Sequence, residues 1–251
     1  SMEPASLIPG IYCSPKCGLN FLRNLKIEMT EPPKPTLFVR NPYSRIVSYY
    51  INKVVYVAVD PDRMGCNRVE TIIEEARRRL RRGTGIGLQL GCEDTERNIH
   101  NWSFDTFVRW LVTQNPDGLE RHIRPQHIPS FEDSPPSIAE VQGTAGDDYI
   151  LFQIEKLKEP ETQERFKKVF SIDPSVNLTE EFYMTHRESN KTPRSVSCHR
   201  LAYDMKPAEM REQKYIPSCV NKYYNEEIAQ LVYNYYKLDF EKYDYSEDSY
   251  K

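Results

Sequence analysis

The sequence predicts an α/β fold around a mostly parallel sheet, and three observations carry that reading. Thr36-Leu-Phe-Val-Arg40 and Tyr149-Ile-Leu-Phe-Gln-Ile154 are short apolar runs without alternation, the pattern of strands buried on both faces. Segments with helical spacing of apolar residues follow each run, and alternation of strand and helix implies a sheet flanked by helices. The 251 residues with 39% apolar content suffice for one sizeable core, so a single domain over residues 1–251 is expected. Ligands in such sheets sit at the carboxyl ends of the strands.

Taken in order, Ile11-Tyr12-Cys13 reads as a short buried strand stopped by Ser14-Pro15, and Leu19 to Leu25 suits a helix. A linker with Pro32, Pro33 and Pro35 leads into the strand at Thr36, and Ile46 to Val55 follows as a helix. Residues 68–82 carry Val69, Ile72, Ile73, Ala76 and Leu80 at helical spacing, together with Arg77, Arg78, Arg79, Arg81 and Arg82. Those arginines form either a solvated basic face or a docking face for an anionic acceptor. Gly83, Gly85, Gly87 and Gly91 end that helix in a loop. Ser103 is the N-cap of a helix whose buried stripe is Phe104, Phe107, Val108 and Leu111, with Trp102 and Phe107 at the staple positions. Residues 128–148 read as a surface loop. A helix entered through Pro160 carries Phe166, Val169 and Phe170, and one long helix is expected from Asn225 to Tyr243.

Composition narrows the function. A net charge of −3 excludes a global basic field for nucleic acid, so any anion site has to be local. No apolar run approaches the length of a membrane span. Ser1-Met2 reads as a cloning scar before a start codon or an internal cut. The compartment therefore stays open: cytoplasmic, or a secretory lumen if a signal or anchor was removed. The six cysteines (Cys13, Cys17, Cys66, Cys92, Cys198, Cys219) contain no CxxC pair, which argues against a structural zinc. They fit reduced thiols or up to three bridges. Sequons at Asn101, Asn177 and Asn190 matter only in a secretory lumen.

Two segments carry anion chemistry. Ser14-Pro-Lys-Cys-Gly-Leu-Asn-Phe21 joins a strand to a helix start. Such a junction turns free backbone N–H groups and the positive helix end toward an anion. Gly18 permits close backbone approach and Lys16 adds a point charge. The GxxxxGK[ST] spacing of a Walker loop is missing. In Val39-Arg-Asn-Pro-Tyr-Ser-Arg-Ile-Val-Ser-Tyr49, Arg40 ends the buried strand, where a charge must find a partner. Asn41-Pro42 makes a turn, and Ser48 follows on a helix eight residues after Arg40. A strand-end Arg and a helical Ser can converge on one phosphate.

These two segments resemble the carbohydrate sulfotransferases, which use 3′-phosphoadenosine 5′-phosphosulfate (PAPS). Ser14 to Phe21 is similar to the family's PKxGxTxxxxxL loop, and Val39 to Tyr49 to its VRxPxxRxxSxY motif, with Pro42 and Arg45 at matching positions. Trp102 to Leu111 resembles the SFxxFxxxL helix, and His122-Ile-Arg-Pro-Gln126 the HxxPQ acceptor-site element. Ile150 to Glu159 resembles the FIxxFExLxE strand, with Glu155 at the acidic position, and Tyr223 to Tyr245 the C-terminal helix. The loop departs from the pattern at Asn20, where many relatives have Thr, and at Phe21.

The resemblance implies a P-loop-like three-layer fold and transfer of a sulfuryl group from PAPS to a hydroxyl acceptor, a glycan. It places Pro15, Lys16, Cys17, Gly18, Leu19, Asn20 and Phe21 around the 5′-phosphosulfate, and Arg40 and Ser48 on the 3′-phosphate. It implies that Glu155 holds nearby segments in place. Of the five histidines (His100, His122, His127, His186, His199), it singles out His122 as the base, with His127 second. Lys16 would stabilise charge growing on the leaving phosphate oxygen, and neither a metal nor a covalent intermediate is called for. A nucleotide-dependent phosphotransferase is the competing enzyme class, against which stand the missing Walker motif and the lack of an Asp-rich metal site. An inactive relative that binds PAPS or glycan is the non-enzymatic alternative, left open by Asn20 and Phe21.

Overall fold

The computed structural model describes residues 11–13, 34–55, 102–119, 122–128, 148–178 and 198–251. The chain divides into two compact units, residues 1–41 with 126–193 and residues 42–125 with 194–251. Both mix short elements, and the sheet is parallel, as an α/β fold requires. The expected helices at 19–25 and 68–82, the glycine loop, and most of the loop at 128–148 lie outside the described residues.

Among the described residues, the first unit holds a three-stranded parallel sheet in the order β1 (Ile11–Cys13), β2 (Thr36–Val39), β3 (Ile150–Gln153). Phe38 is in register with Cys13 on one side and Phe152 on the other. All four β2 residues are buried, which explains the unbroken apolar run: a central strand has no solvent face to alternate toward. The chain leaves β3 through a 3₁₀ turn, Ile154–Lys158, into the helix Pro160–Val169, with Pro160 in its first turn. Phe166 and Phe170 from that segment close over the sheet. Their rings are 4.6 Å apart, and Phe152 lies 5.5 Å from both Phe38 and Phe166.

The regular elements described in the second unit are helices and helical turns. Helix α1 (Pro42–Tyr50) starts on Pro42, so the residue that turns the chain is also the first residue of the helix. Its continuation, Ile51–Val55, widens into a π turn. Asn52 supplies a local reason, because its side-chain amide donates to the Ser48 carbonyl at 2.7 Å and competes with the regular backbone bond. Helix α2 (Phe104–Leu111) is capped as expected: the Ser103 hydroxyl accepts from the Thr106 N–H at 3.2 Å. The Trp102 ring packs 5.4 Å from Trp110.

The long C-terminal helix expected from Asn225 to Tyr243 is instead two helices, Glu226–Tyr235 and Lys237–Lys242. Tyr236 breaks it at φ −105°, ψ 18°. The break follows from what Tyr236 holds. Its ring is fully buried beneath the Arg45 guanidinium, 5.2 Å away, and its hydroxyl donates to the Ile123 carbonyl. Beyond the break, Asp239 and Phe240 face the core. Three helices end on non-glycine residues at positive φ: Ser171, Lys214 and Asp244. In each case the next N–H reaches back five residues, as in Ile172 to Lys167 at 2.9 Å, Tyr215 to Met210 at 2.8 Å and Tyr245 to Phe240 at 3.0 Å. Ile172 and Tyr215 are buried, so apolar anchoring after the turn offsets the left-handed strain.

Tyrosines dominate the core of the second unit, and their hydroxyls bind backbone carbonyls. Tyr43 reaches Glu247 at 2.8 Å, Tyr50 reaches Trp102 at 2.8 Å, Tyr224 reaches Tyr43 at 3.1 Å and Tyr235 reaches Gln114 at 2.8 Å. Each ring fills the core while its tip ties down a segment that lacks ladder bonds. A buried ion pair joins Arg45 to Asp239, Nη2 to Oδ2 at 3.0 Å. A disulfide joins Cys198 to Cys219, closing a loop of 21 residues, which restricts the unfolded chain by about 3 kcal/mol.

Asp239→Ala is expected to destabilise the protein by about 3–5 kcal/mol, because Arg45 is left charged and buried without its carboxylate. Replacing both partners by Met and Leu is expected to cost far less. Urea denaturation followed by circular dichroism checks both, and a loss under about 1 kcal/mol for the single variant contradicts the assignment.

Burial also sets the alkaline limit of stability. It pushes the Tyr50, Tyr224 and Tyr236 hydroxyls well above their ordinary value of 10.0. Below pH 10 both folded and unfolded chains keep these protons. Above it the unfolded chain releases them first, so stability is lost as pH rises toward the folded values, by up to about 1.4 kcal/mol per pH unit for each tyrosine. Urea midpoints are expected to change little from pH 9 to about pH 10 and then to fall continuously to about pH 11.5. A constant midpoint across that range contradicts the buried neutral tyrosines.

Candidate anion site at the end of the central strand

In the first unit the ladder of β2 stops at Val39, and side chains take over. The Arg40 N–H donates to Gln126 Oε1 at 3.1 Å, and Gln126 Nε2 donates back to the Arg40 carbonyl at 3.1 Å. One primary amide thus satisfies both backbone groups of Arg40, as a neighbouring strand would. The next N–H, of Asn41, donates to Glu155 Oε1 at 3.1 Å. Glu155 sits just past β3, in the 3₁₀ turn, and the same oxygen lies 3.8 Å from Arg40 Nε. That distance is an ion pair and not a hydrogen bond. The Arg40 side chain remains 30% exposed, so a fixed backbone carries a partly solvated guanidinium at the carboxyl end of a parallel strand. That position and charge suit an anionic ligand.

In the second unit, Ser48 lies in α1, half-buried. Its Oγ is 3.3 Å from Asn52 Nδ2 and accepts there, which keeps its own O–H as a donor. His122, half-buried, opens the turn at 122–124. That turn is fixed by two bonds: Tyr236 holds the Ile123 carbonyl, and Arg124 Nη2 donates to the Asp117 carbonyl at 2.9 Å. Arg45, at the position of the family's second Arg, is taken up by Asp239 inside the core.

Of the residues expected from sequence, Arg40 is placed with Gln126 and Glu155 in one unit. Ser48 and His122 are described in the other, and His127 is half-buried. Pro15, Lys16, Cys17, Gly18, Leu19, Asn20 and Phe21 lie outside the described residues. Sequence reasoning did not single out Gln126 or Asn52. Their roles are side-chain bonds to backbone, which leave no periodic trace. The one available signal for Asn52 was a polar residue four positions after Ser48 on a helix.

The geometry at the end of β2 is thus a strand-end arginine whose backbone is held by two side chains and whose guanidinium is partly exposed. Residues 22–130 match the family model described as the sulfotransferase family. The matched stretch contains Arg40, Ser48, His122 and Gln126, and begins one residue after Phe21. No curated protein and no solved structure matches the chain. Among the described residues, no helix is long and apolar enough to cross a membrane.

Proposed function

We propose that residues 1–251 form one sulfotransferase domain of P-loop-like, three-layer type that moves a sulfuryl group from PAPS to a hydroxyl of a carbohydrate acceptor. The observation that carries this reading is Arg40: a partly exposed guanidinium on a backbone fixed by Gln126 and Glu155, inside the stretch that matches the family. Arg40 and Ser48 hold the 3′-phosphate of the donor, one by charge and one by its hydroxyl. Lys16, with the backbone from Cys17 to Phe21, holds the 5′-phosphosulfate.

The transfer is an in-line displacement. A bond forms between the acceptor oxygen and sulfur while the bond from sulfur to the phosphate oxygen breaks. The electron pair leaves with adenosine 3′,5′-bisphosphate, and the acceptor proton passes to His122. Positioning and charge stabilisation dominate such reactions. His122 is suited to the proton step because an imidazole nitrogen can accept a proton and its turn is pinned on both sides. The Cys198–Cys219 disulfide supports maturation in an oxidising lumen, where glycan acceptors also occur.

The test is transfer of labelled sulfate from PAPS in a glycan acceptor screen, read by mass increase. Adenosine 3′,5′-bisphosphate is expected to stabilise the wild-type chain without magnesium, and ATP with magnesium is not. Arg40→Ala is expected to weaken the bisphosphate roughly ten- to a hundred-fold in calorimetry. His122→Ala is expected to keep that affinity and lose turnover by about 10²–10⁴-fold, with His127→Ala losing far less. Stabilisation by ATP-magnesium alone overturns the sulfotransferase reading, and a dead His127→Ala beside an active His122→Ala moves the base.

A further inference from the structure

We propose that Gln126 is a positioning residue for the donor's 3′-phosphate: its side-chain amide stands in for a missing strand and sets the direction in which Arg40 leaves the sheet. This inference rests on the proposed role of Arg40 and deepens it.

The argument begins with what a strand end needs. A residue just beyond the ladder keeps one donor and one acceptor, and without partners its φ and ψ drift with the turn that follows. The direction of its Cα–Cβ bond drifts with them. At Arg40 both groups are taken by one rigid, planar amide, at 3.1 Å each. Two simultaneous bonds to one planar group fix the orientation of a peptide as well as its position. Gln126 is buried at 5% exposure, so water does not compete for the amide. The next peptide is fixed by Glu155 at Asn41. A guanidinium meets a phosphate in a narrow, in-plane geometry, so a swing of its anchor costs affinity for that group specifically.

Gln126 touches neither phosphate nor acceptor in this account. It acts through Arg40. A purely structural glutamine would affect stability, and every ligand alike. A positioning glutamine affects only ligands that carry a 3′-phosphate, and only while Arg40 is present.

The experiment is calorimetry on the full chain with two probes, adenosine 3′,5′-bisphosphate and adenosine 5′-monophosphate, at a temperature where each variant is folded by circular dichroism. Gln126→Met keeps length and removes both bonds. It is expected to weaken the bisphosphate about tenfold, to leave the monophosphate within about twofold, and to add less than about twofold when placed on Arg40→Ala. Gln126→Asn keeps a neutral amide but is too short to reach both groups of Arg40, and carries the same test if the Met variant does not fold. Unchanged bisphosphate affinity in a folded variant overturns the proposal. So does an equal loss for both probes, or a loss of full size on top of Arg40→Ala. Failure of the parent reading looks different: the wild-type chain then does not bind the bisphosphate, or Arg40→Ala binds it normally, before Gln126 is touched. Either result removes this inference with it.

Discussion

Beyond Val39 the ladder ends, and the peptide groups of Arg40 and Asn41 still need partners. A strand that opens onto a ligand faces two opposed demands. Its carboxyl end has to be clear of other backbone, because that is where the ligand approaches. Its last residue has to be as rigid as the sheet, because a mobile charge loses affinity to entropy. A further pairing strand would meet the second demand and defeat the first. Side chains meet both. Gln126 and Glu155 reach the backbone of residues 40 and 41 from segments far away in sequence and leave the Arg40 side chain partly exposed.

The helical unit solves a related problem with aromatic side chains. Its described helices are short, so many of the described segments have few ladder bonds. Tyr43, Tyr50, Tyr224, Tyr235 and Tyr236 each place a ring in or against the core and bind a carbonyl with the hydroxyl. One series of contacts leads from buried charge to the turn that bears His122. Asp239 fixes Arg45, the Arg45 guanidinium lies over the Tyr236 ring, and the Tyr236 hydroxyl holds the Ile123 carbonyl. The ion pair is therefore poor evidence for stability taken alone, since a well-packed apolar pair is often as good. Its consequence is geometric: it sets where Tyr236 stands, and Tyr236 breaks the C-terminal helix.

What the sequence revealed and what it hid divide along physical lines. The strand at Thr36 was legible because a strand buried on both faces must be apolar throughout. The run at Ile150 also forms a strand, but only Phe152 in it is buried, so the expected burial on both faces does not hold there. The cap at Ser103 was legible because capping is a local bond between neighbours. The break at Tyr236 was not, because the apolar stripe continues through it in nearly the same phase. The helix ends at Ser171, Lys214 and Asp244 lacked the glycine that usually marks a left-handed residue, and were held instead by the residues after them. At the site, Arg40 was legible as a charge ending an apolar run. Gln126 was visible only as part of an element resembling an acceptor site, whereas its side chain binds backbone 86 residues away. Contacts at that range are written in the fold and not in local pattern.

The choice of amide at one position and carboxylate at the next follows from what each has to satisfy. At Arg40 both a donor and an acceptor are exposed, and only a group with both, such as glutamine, can meet them together. A carboxylate there would set negative charge against the Arg40 carbonyl. At Asn41 it is an N–H that is held, and a guanidinium lies nearby, so an acceptor-only, charged group fits better than an amide. Glu155 does two things from one oxygen: it closes the Asn41 N–H at 3.1 Å and stands 3.8 Å from Arg40 Nε. At that separation the carboxylate offsets the positive charge without engaging it as a short charge-assisted bond would, at about 2.7–2.9 Å. An arriving phosphate can form those shorter bonds. On the proposed reading, Glu155 holds Arg40 in place before the donor binds and is outcompeted once the phosphate is there, while its bond to Asn41 keeps the backbone fixed in both states.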